Sequence, residues 1–152
     1  MFSLFRKKPL LSNADRQMIE QSIQQAESKT SGEVRVYVEP HCTKADAIDR
    51  AKEVFAQLGM EKTQARNAII VYVAITDRKF ALYGDTVIYE KAGGAMFWEK
   101  AAATMAAKLR QNKLAEGISE CVLELGAALA THFPYDPNTK KNELPDEIVF
   151  GK

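Results

Sequence analysis

Apolar residues recur along this chain with two periods, and the switches between them fall at glycine, proline and short polar runs. Ile19, Ile23 and Ala26 share one helical face, with Met18 beside them. Ser12 and Asp15 mark the start of that helix, an N-cap and an acid in the first turn. The run Lys29-Thr-Ser-Gly32 ends it. In Glu33-Val-Arg-Val-Tyr-Val-Glu39 the valines alternate with polar or amphipathic residues, the period of a strand with one buried face. Pro40 stops that strand because proline cannot donate to the ladder.

A second helix is predicted over 44–58, where Ala47, Ala51, Val54 and Leu58 share a face with Ile48 and Phe55. Gly59 supplies its left-handed cap. Residues 67–75 are apolar almost throughout and β-branched, which reads as a central strand covered on both faces. A short turn at 76–78 leads to a third strand over 79–83, antiparallel to the second because the link is so short. An irregular stretch with Gly93 and Gly94 follows Gly84-Asp85. A third helix spans 95–111, with Trp98, Ala101, Ala102, Met105 and Leu109 as its stripe. Asn112 is placed to cap a long fourth helix carrying Leu114, Ile118, Cys121, Val122, Leu125 and Leu129, which Pro134 closes.

The order α-β-α-β-β-α-α defines the fold class: α/β, a small mixed β-sheet flanked by helices on both faces, an α/β sandwich. The first two strands are joined through a helix, so they are expected to be parallel with a right-handed crossover. Residues 1–11 read as an N-terminal segment, 12–134 as the domain and 135–152 as a polar tail packing on it. No internal repeat or low-complexity block interrupts this.

Composition narrows the function classes. The 152 residues suit one domain, and 46% hydrophobic with 27% charged residues excludes a disordered chain, a collagen-like repeat or a disulfide-stapled miniprotein. A net charge of +1 argues against nucleic acid as partner. No apolar stretch is long enough for a transmembrane segment. The terminus around Phe2, Leu4, Phe5, Arg6 and Lys8 has its charge after its apolar residues, the reverse of a secretory signal, so a soluble cytoplasmic protein is expected. That terminus reads as frayed, with a membrane-surface contact as the alternative. Cys42 and Cys121 do not form a disulfide framework, and Cys121 reads as a small core hydrophobe.

Familiar catalytic motifs are missing. There is no phosphate-cradling glycine loop, no His-Glu-x-x-His or Cys-x-x-Cys and no Gly-x-Ser-x-Gly elbow. Cys42 lacks an arginine at the spacing of a cysteine phosphatase, and Asp85 lacks the second aspartate of an aspartate-nucleophile phosphatase. His41 next to Cys42 offers half of a soft-metal site, but the only other histidine is His132, so ligand count favours an exposed loop His and an interfacial helix His.

Topology instead brings oxygen ligands together. Parallel strands 1 and 2 and antiparallel strand 3 send Thr30, Ser31, Gly32 and Glu33, then Thr63, Arg66 and Asn67, then Tyr83, Gly84 and Asp85 to one sheet edge. Hard cations take such donors. The opposite edge collects Glu39, His41, Asp46 and Asp49 with Asp77 and Arg78, and lies beyond the carboxyl ends of the parallel strands, where α/β sheets often bind ligands. The alternative at either edge is a solvated rim with local ion pairs, such as Asp77 with Arg78 or Lys79. Trp98 reads as core, and the Ala-rich third helix permits close packing within the domain or between copies.

Four segments in order resemble the TPM domain family: Thr30-Ser-Gly-Glu-Val-Arg-Val-Tyr-Val38, Phe55-Ala-Gln-Leu-Gly-Met60, Arg66-Asn-Ala-Ile-Ile-Val-Tyr-Val-Ala74 and Asp77-Arg-Lys-Phe-Ala-Leu-Tyr-Gly-Asp85. Phe97-Trp98, Gly117, Phe133-Pro134 and Glu143-Leu-Pro-Asp-Glu-Ile148 are similar to its short, single-domain bacterial branch. The resemblance covers about residues 12–150. It implies an α/β sandwich, divalent-metal binding with calcium (Ca2+) foremost and magnesium (Mg2+) as the alternative, and an acid-phosphatase activity assigned to plant members. Within matching motifs it points to Glu33, Asn67 and Asp85 as metal-site positions. The chain departs from the family where Val87 replaces a glycine after Tyr-Gly-Asp.

The sequence therefore supports two functional expectations. One is a metal-binding TPM-like domain, with Glu33 and Asp85 as carboxylate ligands, Asn67 ligating or orienting, weak phosphomonoester hydrolysis as its extension and Asp85 as the catalytic candidate. Glu39, Asp46, Asp49 and Asp77 form the alternative metal rim. The other is a non-catalytic interaction module for an unidentified protein partner, with Leu144, Ile148 and Phe150 of the tail packing back or docking outward.

Overall fold

A computed structural model describes residues 9–138 and 147–151. The elements are α1 (Asn13–Glu27), β1 (Glu33–Glu39), α2 (Ala47–Gln57), β2 (Ala68–Ala74), β3 (Lys79–Gly84), α3 (Thr86–Lys91), α4 (Ala95–Arg110), α5 (Leu114–His132) and β4 (Val149–Phe150). The sheet has the order β3-β2-β1-β4. β1 runs parallel to both β2 and β4, and β3 is antiparallel to β2. This is the mixed sheet that the short hairpin and the helical crossover require.

Local chemistry sets most element ends. Ser12 Oγ accepts the Asp15 N–H at 3.1 Å and starts α1. Asp46 Oδ1 accepts the Ile48 N–H at 3.1 Å and starts α2. Asn112 is not the cap expected of it. It is a turn residue at φ 59°, and Lys113 precedes α5 with no side-chain cap. The stretch after Gly84 is not irregular either. Asp85 caps the short helix α3, whose Ile88 is fully buried, and Val87 lies in its first turn.

Two cores sandwich the sheet. Val34, Val36 and Val38 with Ile69, Val71 and Val73 pack against α1, α4 and α5. Tyr37, Ile70 and Tyr72 pack against Ala51, Val54 and Phe55 of α2. α1 and α5 cross so closely that a Cβ on Gly126 would overlap the Ala26 side chain. Cys121 lies in the first core, and burial pushes its thiol up to about 12. Trp98 is core, with its Nε1 donating to the Tyr89 carbonyl at 3.1 Å.

β1 departs from the expected half-buried strand. Every residue of it is buried, including Glu33, Arg35 and Glu39. The strand is interior, between β2 and β4, and Arg50 of α2 covers Tyr37 and Glu39 at the C-terminal half of its polar face. The tail contributes β4: Ile148 is buried, the Gly151 N–H donates to the Val38 carbonyl at 2.8 Å, and Phe150 lies under the Arg16 guanidinium. Leu144, Phe2, Leu4, Phe5, Arg6 and Lys8 lie outside the described residues. Among the described residues no helix is long and apolar enough to cross a membrane.

Candidate functional site

The sheet register fixes what meets at the N-terminal edge of β1 and β2. Glu33 stands opposite Ala68, and the Asp85 N–H donates to the Ala68 carbonyl at 2.9 Å. Glu33, Ala68 and Asp85 thus form one row across three strands, with the carboxylate residues about 10 Å apart at their Cα atoms by strand spacing. The alternation of the sheet puts both on the α2 face. Asn67 immediately precedes the row. Thr30, Glu33, Thr63, Asn67 and Asp85 are each no more than 3% exposed.

These side chains are not equally engaged. Asp85 receives Arg66 Nε at 2.7 Å and Nη2 at 2.8 Å, and its Oδ1 also accepts the Thr86 N–H at 2.7 Å. The carboxylate is buried while the Arg66 side chain is 46% exposed, so the guanidinium closes the site from the solvent side. The pair raises the pKa of Arg66. Arg66 sits at φ 51°, which lets its carbonyl accept the Ile88 N–H at 3.4 Å while its side chain reaches Asp85. Thr30 Oγ1 accepts the Gly32 N–H at 3.0 Å and donates to the Phe133 carbonyl. Glu27 Oε2 accepts the Val34 N–H at 2.8 Å. Thr63 Oγ1 and Arg35 Nε are buried with no hydrogen-bond partner among the described residues. Burial lowers the pKa of Arg35, against the opposing pull of Glu33 and Glu27.

The opposite edge is organised differently. Glu39 accepts Arg50 Nε at 2.8 Å and Nη2 at 3.0 Å, and the Tyr72 hydroxyl donates to it as well. Burial alone pushes the Glu39 carboxyl up, but the bonds from Arg50 and Tyr72 outweigh it and hold the group below its ordinary value. Burial and the same bond to Glu39 push the Tyr72 hydroxyl far above the usual range. Asp77 does not make the local ion pair with Arg78 or Lys79 that the solvated-rim alternative offered. It bonds His41 Nδ1 at 2.9 Å and accepts the Cys42 N–H at 2.7 Å, and these hold its carboxyl low. Arg78 is instead a turn residue at φ 56°, and Lys79 Nζ donates to the Ala45 carbonyl at 3.3 Å. Asp46 caps α2 and Asp49 is exposed in its first turn. Among the described residues no group of three or more His, Cys, Asp and Glu side chains is arranged to hold a metal ion.

Sequence reasoning missed Arg50, Tyr72 and Arg35. Arg50 lies within α2, next to the stripe residue Ala51, and Tyr72 is hidden within an apolar strand. The strand register places Arg35 and Tyr72, and the seating of α2 places Arg50.

The TPM domain model matches residues 5–128. The NMR structure of BA42 protein from the psychrophilic bacterium Bizionia argentinensis is 31% identical and superposes with a TM-score of 0.85, over 97% of this chain and 99% of that one. The N-terminal domain of a P. gingivalis protein (19% identity, TM-score 0.66, 82% of this chain and 79% of that one) shares the fold. So does the N-terminal domain of cg2496 from Corynebacterium glutamicum (13%, 0.63, 89% and 83%). No curated protein matches. With the family model spanning most of the chain, and an α/β sandwich in the order its sequence requires, this protein belongs to the TPM domain family.

Proposed function

We propose that this TPM domain binds a divalent cation, calcium in preference to magnesium, at the N-terminal edge of β1 and β2. The observation that carries the reading is the collection of buried oxygen donors there, with the Thr63 hydroxyl left without a partner among the described residues. Burying a hydroxyl such as that of Thr63 is costly unless something satisfies it. A carboxylate, an amide oxygen and a hydroxyl are the donors a hard cation takes. Glu33, Asn67 and Thr63 would hold the ion. Asp85 joins them only by exchanging Arg66, because both its oxygens already accept hydrogen bonds. The opposite rim fits a cation less well, since Glu39 and Asp77 are each committed to two donors.

A bound cation supplies charge neutralisation for an anionic oxygen and acidifies a coordinated water. Weak phosphomonoester hydrolysis is the extension of this reading, with Arg66 as the cation nearest the rim and Asp85 as the group that holds it. If hydrolysis occurs there, Asp85→Asn lowers kcat/KM by orders of magnitude; a loss below about tenfold removes Asp85 from the mechanism.

Calorimetry on metal-stripped protein tests the binding itself. Wild type is expected to bind calcium saturably, Glu33→Gln to weaken it about tenfold or more, and Asp49→Asn, exposed at the other rim, to leave it unchanged. Equal affinity in wild type and Glu33→Gln would overturn the assignment.

A further inference from the structure

Along β3 the sheet ends in a free edge. No described strand pairs with its outer side. The Asp85 N–H bonds Ala68 of β2, so by antiparallel alternation Tyr83, Ala81 and Lys79 also bond inward. The main-chain groups of Phe80, Leu82 and Gly84 therefore point outward. The usual protections of an edge are missing. β3 contains no proline, its register with β2 is unbroken, and no charged residue lies between Lys79 and Asp85.

Two grooves follow this edge. One, of about 450 Å³, lies at the Lys79 end beside Ala106 and Leu109 of α4. The other, of about 580 Å³, lies at the Gly84 end between Ile48 of α2 and Trp98 and Ala102 of α4. Small alanines on α4 line both grooves; along the strand Lys79 is exposed and Phe80 and Tyr83 are half-buried, while Ala81, Leu82 and Gly84 are buried. The ends differ in charge. Arg78, Lys79 and Arg110 line the first groove, whereas Glu90 and Glu99 line the second with Lys52 as the only opposing charge among its lining residues.

We propose that β3 docks antiparallel against β3 of a second copy of this chain, extending the sheet across a two-fold axis. Outward-directed residues must pair with one another. That places Phe80 opposite the second copy's Gly84, with Leu82 on the axis. The same register sets the basic end of each groove against the acidic end of the other, twice over. A generic extended peptide offers no such match, and this self-complementarity selects a second copy as the occupant. The inference is independent of the cation site.

Sedimentation equilibrium on the full chain, from about 10 µM to about 1 mM, reads the association on the micromolar-to-millimolar affinity scale. A monomer–dimer equilibrium is expected within that range. Arg110→Glu or Glu99→Arg alone should weaken it about tenfold or more. The double variant, which restores opposite charges across the axis, should recover it. Both positions are exposed, and far-UV circular dichroism checks that the fold is kept. Amide exchange should slow at Phe80, Leu82 and Gly84 as concentration rises. A monomer at the top of the range overturns the proposal and leaves the groove to another extended strand. Association that ignores the charge swap, or that leaves those three amides unprotected, overturns it equally.

Discussion

The N-terminal end of the parallel strands gathers two acidic residues, Glu33 and Asp85, the C-terminal end four, Glu39, Asp46, Asp49 and Asp77, and the two ends use them differently. At the C-terminal end, Glu39 is locked by Arg50 and Tyr72, and Asp77 by His41 and the Cys42 N–H. These carboxylates hold the β1–α2 and β2–β3 connections in place. At the N-terminal end, Thr63, Asn67 and Glu33 are buried, and the Asp85 carboxylate is closed off by one half-exposed arginine. Counting acids does not separate a structural rim from a binding rim. The rims differ in one buried oxygen, the Thr63 hydroxyl, which has no hydrogen-bond partner among the described residues, whereas Glu39 and Asp77 are each held by side-chain donors.

The largest expected effect breaks the structural rim. Arg50→Met strands the Glu39 charge, with side-chain exposures of 11% and 5% for the two partners, and should cost about 3–5 kcal/mol in urea unfolding. A cost below about 1 kcal/mol would mean that the pair is not holding this end. At the other rim, Asp85→Ala removes the α3 cap and a buried hydrogen-bonding group, for a loss of roughly 1–3 kcal/mol by the same measurement. Arg66→Ala sharpens the contrast from the ligand side. It frees Asp85 from its guanidinium and should tighten calcium binding several-fold by calorimetry, whereas unchanged or weaker binding would leave Asp85 outside the ligand set.

The smallest effect is a pH dependence. Glu39 and Asp77 are held below their ordinary values of 4.5 and 3.8. Groups with depressed folded values contribute stability that is complete above the ordinary value and lost as pH falls through the folded one. Stability should therefore decline below about pH 4.5, and more shallowly in Asp77→Asn than in wild type. Identical acid profiles for the two proteins would show that the Asp77 carboxylate adds nothing to the acid dependence.

Much of the fold was legible from periodicity. The alternating valines of β1, the apolar run of β2 and the stripe of α5 each define an element, and short connections fix the directions of the strands. The burial of Glu33, Arg35 and Glu39 was not legible, because alternation reads the same whether the polar face meets water or a helix. Nor was α3: its capping Asp85 was noticed as a ligand, and one residue served both descriptions. At the candidate site, topology placed Glu33, Asn67 and Asp85 at one edge; the register brings Glu33 and Asp85 to one row through Ala68, and Asn67 lies one residue before it. The engagement of Asp85 by Arg66 depends on the left-handed backbone at Arg66, which no pattern of residue types announces.

A cation site at the N-terminal edge is tested by titrating metal-stripped protein with calcium and following backbone amides by NMR, with magnesium as the comparison. Saturable shifts are expected at Gly32, Glu33, Thr63 and Asn67, larger for calcium, while amides beside Glu39, Asp46 and Asp77 stay still. Shifts confined to those latter residues, or none at millimolar metal, would contradict it.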